Sequence, residues 1–359
     1  MRSFIRAKSR SIKTMAKIKF MKQLFKTIFP IGLFITLFTS CDDNKFDVEL
    51  KGEPIELSFK RLDQDMFGSD SAHFAEVNKE LQKKYTTFYK RYALNVLNLG
   101  YPEDPAFVDR YKFFLNQPGV MEVYEATQKA YPDLETYQKQ LSKAFDYYHY
   151  HFPDLQVPEL VAMITGFQYK VSTDDSVLAV GIDMYIPNNG KMYVQAGLPQ
   201  YKIDQAIPER MVHDAMRGWL ISEFEPKKPS AELLDYMIHY GKILYTMEAC
   251  FPFDEKASLI GYTTAQMQWC SANEGMAWGS LIENTVLFEK KKEIVMRYIS
   301  DGPFTPGMPK ESPGQMPYWL GWQIVREYMN DHPNTTLKQL FEIEDARMIL
   351  NESGYKPKM

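Results

Sequence analysis

Met211-Val212-His213-Asp214-Ala215-Met216-Arg217 follows two β-like segments, Val157–Phe167 and Val177–Ile186, and opens behind Pro208. Proline suits a first helical turn, because its missing N–H would be unpaired there anyway. Strands followed by this helix, with helical patterning on both sides, predict an α+β domain that is mostly α-helical. The sheet is expected to be small and antiparallel, with flanking helices. The polar segment Ser172-Thr173-Asp174-Asp175-Ser176 reads as the turn between the two strands. Met192-Tyr193-Val194 reads as a short edge strand, and Glu56–Asp63 as a first strand, since Ile55, Leu57 and Phe59 alternate with polar neighbours.

Outward from this centre the pattern is helical. Phe74, Val77, Leu81, Tyr85, Phe88, Tyr92 and Val96 recur every three to four residues, an amphipathic stripe that reads as core. Helices are expected over Asp104–Asn116, Val120–Tyr131 and Leu134–His149. Downstream, Thr263 with Gln266 is a capping-box signature that opens one helix carrying Trp269, Glu274 and Trp278. Pro317–His332 and Thr336–Asn351 read as further helices. The chain shows no internal repeat and no low-complexity segment.

The chemistry-bearing pattern lies in the quoted helix. Zinc peptidases of the gluzincin type carry H-E-x-x-H, whose two histidines share a helix face and bind zinc while the glutamate acts as general base. A glutamate from a later helix completes the ligands, and a water takes the open position. Here His213 stands at the first ligand position, Asp214 at the general-base position and Arg217 where the second histidine belongs. Glu274, in Asn273-Glu274-Gly275-Met276-Ala277-Trp278, is the candidate third ligand. A guanidinium has no lone pair to donate and repels Zn²⁺. The expectation is a degenerate zincin-like domain without catalytic residues, metal or cofactor, in which Arg217 pairs with Glu274 or Asp214. The competing reading, a zinc peptidase using His213, Asp214 and Glu274, puts adjacent residues about 100° apart around one helix.

The other histidines do not form a set: His149 and His151 are two apart, and His73, His239 and His332 lie in unrelated segments. Asp174-Asp175 reads as a solvated pair. There is no G-x-S-x-G, P-loop or dinucleotide-binding glycine pattern.

The N-terminus carries a targeting signal. Lys22 and Lys26 precede the apolar run Ile28–Phe38, then Thr39-Ser40-Cys41 and the polar Asp42-Asp43-Asn44-Lys45. The run is too short to span a bilayer, which takes about 20 residues. It fits a secretory leader, and a start at Met21 would give a leader of ordinary length. Small residues ending in cysteine resemble a lipobox, so Cys41 is expected to become the first mature residue and to carry acyl chains (palmitate among them). The expected organisation is a signal peptide over 1–40, a tether over 41–55 and one α-rich domain over 56–359. Within that domain a helical part covers 70–151 and a zincin-like part 152–359. Residues 1–40 hold nine of the 42 basic residues and none of the 46 acidic ones, so the remainder carries 33 against 46, formally −13. Such a body is a poor partner for nucleic acid. Attachment to a membrane would come from acyl chains alone, with two or more needed for stable anchoring. Cys250 and Cys270 remain, and an oxidising compartment permits but does not require their pairing.

Several ordered segments carry a family resemblance. They are Ile164-Thr165-Gly166-Phe167, Val180-Gly181-Ile182-Asp183-Met184-Tyr185, Gly241-Lys242-Ile243-Leu244-Tyr245, Ile260-Gly261-Tyr262-Thr263 and Gln268-Trp269-Cys270. Asn273-Glu274, Gly302-Pro303-Phe304, Gly321-Trp322-Gln323-Ile324-Val325, Tyr328-Met329 and Tyr355-Lys356-Pro357 continue the series. Together with the lipobox they resemble the GldB-type gliding-motility lipoproteins of Bacteroidetes, from about residue 41 to the end. The resemblance implies an accessory protein anchored in the cell envelope, on the periplasmic face of the inner or outer membrane or at the cell surface. It implies association with gliding and the linked type IX secretion system, and an envelope protein as partner. The family is similar to predicted zinc proteases with an intact H-E-x-x-H, so Arg217 suits a non-catalytic descendant, a pseudo-peptidase. A periplasmic binder of glycan or peptidoglycan, using exposed Trp and Tyr, is the other alternative.

Overall fold

Alternate residues of two short strands face opposite cores. The computed structural model describes residues 44–69, 71–226 and 231–358. Cys41 and the expected leader lie outside the described residues. The described residues from Phe46 onward form one compact unit. In it, β1 (Phe59–Arg61), β2 (Glu159–Met163), β3 (Val171–Asp174) and β4 (Val177–Gly181) form a sheet in the order β1-β2-β4-β3. β2 runs parallel to both β1 and β4, with Phe59 opposite Leu160 and Leu160 opposite Leu178. Only β3 and β4 are antiparallel.

The expected antiparallel sheet is therefore a mixed one, and burial explains why. Leu160, Ala162, Leu178 and Val180 enter one core, while Val161, Met163, Val177 and Ala179 enter another. Strands covered on both faces read as continuous apolar runs, the signature of parallel pairing rather than of alternation. β3 corrects a second expectation. Ser172–Asp174 is edge strand, half-buried along its length, and the turn shrinks to Asp175-Ser176. An edge strand with one partner tolerates polar side chains.

Helices supply both covering layers. Between β1 and β2 lie α1 (Leu62–Phe67), α2 (Phe74–Arg91), α3 (Phe107–Leu115), α4 (Val120–Ala130) and α5 (Glu135–His151). After β4 come α6 (Gly190–Gln195), α7 (Gln200–Asp204), α8 (Met211–Glu223), α9 (Leu233–Cys250), α10 (Lys256–Ile260) and α11 (Thr264–Ala272). The series ends with α12 (Glu274–Glu283), α13 (Lys292–Ile299), α14 (Met316–Asp331), α15 (Leu337–Glu342) and α16 (Ala346–Glu352). The stripe on α2 is core, as its periodicity predicts: Phe74, Leu81, Tyr85 and Phe88 are buried, and Phe74 stacks on Tyr111 of α3. α5, α8, α9 and α14 form the opposite layer, with Phe145, Trp219, Ile243 and Trp322 buried. α9 and α14 pack closely, because a Cβ on Gly321 would overlap the backbone of Met237.

Three further expectations change. Met192–Val194 lies in α6 and not in a strand, three residues being too few for periodicity to decide. The capping box at Thr263 and Gln266 is formed, but its helix ends at Ala272; Glu274 and Trp278 lie on α12, beyond a break at Asn273. Thr336 caps α15 in the same way, and a second start at Asp345 divides the expected Thr336–Asn351 helix in two. Cys250 and Cys270 are buried free thiols, and Cys270 Sγ donates to Met316 Sδ at 3.4 Å. Phe46, inside the expected tether, is buried edge-on to the rings of Tyr245 and His151.

Two of the segments quoted for the resemblance meet in space. The Asp183 carboxylate is fully buried and accepts the N–H of Thr165 at 3.0 Å and of Phe167 at 2.8 Å. Gly166 and Phe167 both take φ of +63°, which turns the loop around the carboxylate. Burial pushes the Asp183 pKa up to about 6 even against these donors.

Candidate functional site

The site grows from the start of α8. Arg210, Asp214 and Arg217 are spaced four and three apart, so they share one helix face. Arg217 Nη2 donates to Asp214 Oδ1 at 2.6 Å, and Arg210 Nη2 lies 3.7 Å from the same oxygen. Oδ2 accepts from Lys170 Nζ at 3.0 Å and from the Tyr185 hydroxyl at 3.2 Å. Lys170 stands just before β3 and Tyr185 in the turn after β4, so the sheet delivers two partners to a helical carboxylate. Burial alone would raise the Asp214 pKa. Arg217, Lys170 and Arg210 outweigh it and hold the carboxyl well below the usual range.

Both guanidiniums are also fixed from the far side. Arg217 Nη1 donates to the carbonyls of Ile260 at 2.8 Å and Leu259 at 3.3 Å, and Arg210 Nη1 to that of Gly261 at 2.6 Å. These carbonyls end α10, where the unpaired C=O groups favour cations. Gly261 is left-handed at φ +81°, and a Cβ there would fall on the Arg210 guanidinium. Glycine meets both demands.

The four positions read as a former metal site do not converge. His213 Nε2 bonds Asp254 Oδ2 at 2.8 Å, its ring beside Phe251, and lines a cavity of about 510 Å³. Arg217 lines a different cleft of about 900 Å³. Glu274 is buried and accepts the Tyr355 hydroxyl at 2.7 Å. Arg217 takes Asp214 of its two expected partners. Among the described residues no group of three or more His, Cys, Asp and Glu side chains could hold a metal ion. Sequence reasoning missed Lys170, Tyr185 and Arg210. The first two come from other elements, but Arg210 was legible as the i−4 neighbour of Asp214.

The cleft has a cationic floor: Lys170, Arg210 and Arg217, gathered on the buried Asp214, line it together with Tyr240, Tyr262 and Tyr318. Tyr240 stacks on Tyr318 with ring centroids 3.8 Å apart, and the Tyr262 hydroxyl donates to the Gly314 carbonyl at 2.6 Å. None of the five tryptophans is exposed, and Trp219, Trp319 and Trp322 are buried.

No helix among the described residues is long and apolar enough to cross a membrane. Comparison with curated proteins finds no match, and comparison with solved structures finds none either. The sequence model of the family described as gliding motility protein GldB matches residues 43–357, nearly the whole body, including the Asp183 clamp and the cationic cleft. The chain belongs to the GldB family of gliding motility lipoproteins.

Proposed function

We propose that this chain is a non-catalytic lipoprotein, anchored in the cell envelope by acyl chains on Cys41, which serves gliding and the linked type IX secretion system by binding a partner. Its body is a metallopeptidase scaffold whose site has been converted into an ion-pair cluster. The observation that carries this reading is the state of Asp214. A general base needs a carboxylate free to take a proton from water. Asp214 instead shares its oxygens among Arg217, Arg210, Lys170 and Tyr185. Arg217 adds a fixed charge where a ligand would stand. The rival ligand set of His213, Asp214 and Glu274 gains nothing from the geometry, since each is committed to a different partner. The glycan alternative draws on exposed Trp and Tyr; no tryptophan is exposed, and the exposed tyrosines Tyr101, Tyr150 and Tyr169 stand outside the lining of the cleft.

Elemental analysis of the full chain, purified in detergent without chelator or metal-affinity resin, tests the absence of catalytic zinc. Zinc near one equivalent overturns the reading. In a strain lacking the native protein, His213→Ala is expected to restore surface spreading at normal protein level. Loss of spreading with normal abundance would return His213 to a catalytic role. Arg217→His tests the ancestry, and zinc uptake by that variant would support it.

A further inference from the structure

The cleft floor gathers three cations on one buried anion; their other donors go to neutral backbone carbonyls, and among the described residues no second carboxylate pairs with them. Lys170, Arg210 and Arg217 are mostly buried, with side-chain exposures of 25%, 15% and 23%, while Asp214 is 3% exposed. Buried cations without counter-charge are costly, so such an arrangement persists where something compensates it. The two acids that line the cleft, Asp204 and Asp301, pair elsewhere. Asp301 faces Lys202 at 3.8 Å, and Asp204 accepts from the Gln200 side-chain amide at 2.8 Å.

A second observation points to a missing acceptor. Arg210 Nε is buried and has no hydrogen-bond partner. Buried donors are almost always paired, and an orphan calls for an explanation. Burial, with Arg210 and Arg217 close by, also pulls the Lys170 pKa below its ordinary value although Asp214 opposes it. The rest of the lining is mixed, with Met184, Ile243 and Ile260 beside the tyrosines and Gln168, Gln205 and Gln266 among the polar groups.

We infer that this cleft is a binding site for an oxyanion, a carboxylate or phosphate, carried on an apolar group. A peptide chain end and a small amphipathic acid share that chemistry. The inference rests on the binding role proposed above and supplies its ligand chemistry. The body around the cleft is acidic and charges are screened within about 8 Å at physiological salt, so recognition is local to the floor.

The test is calorimetric titration of the full chain in detergent with five probes. They are inorganic phosphate, isocaproate and its amide, and Ac-Ala-Ala-Leu with a free and with an amidated C-terminus. Saturable binding of an oxyanion probe is expected, about tenfold or more tighter than its neutral amide. Peptide above isocaproate assigns a chain end, isocaproate alone a small acid, and phosphate alone a phosphorylated ligand; each upholds the site. Lys170→Met and Arg210→Met should each weaken binding about tenfold with an unchanged circular dichroism spectrum. Absence of saturation by about 20 mM, amides that match their acids, or variants that bind like the native chain overturn it.

Should both variants fail to fold, the native chain decides alone: isocaproate or phosphate at about 20 mM must raise its melting temperature more than the neutral amide does, and equal shifts overturn the inference. Failure here with intact complementation by His213→Ala would remove the anion site and leave the non-catalytic reading standing.

Discussion

Replacing Asp214 by asparagine keeps the side chain's shape and removes the charge on which three cations converge. Breaking a buried pair by deleting one partner costs about 3–5 kcal/mol, because the remaining charge stays buried and uncompensated. Here the donors at 2.6 and 3.0 Å lose their ionic acceptor and the cation at 3.7 Å loses its counter-charge. A value in the middle of that range, about 4 kcal/mol, is expected at pH 7. The pH dependence identifies the cause. The folded carboxyl titrates well below its ordinary value of 3.8, so the folded state binds fewer protons than the unfolded state as pH falls through that region. The stabilisation is therefore complete above about pH 5 and is lost on acidification below about pH 4. Urea unfolding at pH 7, 5 and 3.5, followed by circular dichroism, should show the gap between native and variant constant at the first two values and narrowing at the third. A cost below about 1 kcal/mol at pH 7, or a gap that does not narrow, would refute the view that Asp214 organises the floor.

Gly261→Ala should destabilise by about 1–3 kcal/mol, since it places a Cβ on the Arg210 guanidinium at a left-handed position; chemical denaturation reads this directly. Gly321→Ala should cost a similar amount by overlapping the Met237 backbone, whereas Gly279→Ala, with nothing near its new Cβ, should stabilise by about 0.5–1 kcal/mol. Thermal melts of the pair separate space from propensity. Asp183 has the opposite pH sign to Asp214: its folded pKa of about 6 lies above the ordinary 3.8. The folded state holds the extra proton between these values, so stability falls by about 2–4 kcal/mol as pH rises through that interval. Asp183→Asn should flatten that slope in urea unfolding against pH.

The parts of this fold that were legible in the sequence are those decided locally. The α2 stripe and the Thr263 and Thr336 boxes each depend on residues within a few positions: both boxes are formed and the stripe is core, though its last members, Tyr92 and Val96, lie in a π-helical turn beyond α2. Strand direction was not legible, because Leu160 meets Leu178 through pairing that no local pattern encodes. β3 was lost for a related reason, since Ser172 to Asp174 sit half-buried at an edge that makes no apolar demand. The candidate site divides the same way. Asp214 with Arg217 could be read along one helix, and Arg210 could have been. Lys170 and Tyr185 arrive from the sheet and become partners only once it is built.

The parallel pairing of β1 with β2 has a kinetic consequence. Phe59 finds Leu160 only after about a hundred intervening residues have been synthesised and five helices placed. Pairings that close so long a loop incur their entropic cost before any contact offsets it, and such topologies fold slowly. β1 is therefore among the first segments made and among the last secured. Until then its backbone edge stays open to wrong partners. The stretch most exposed to misassembly during folding is thus the first strand of the body, far from the cleft in sequence and untouched by its chemistry.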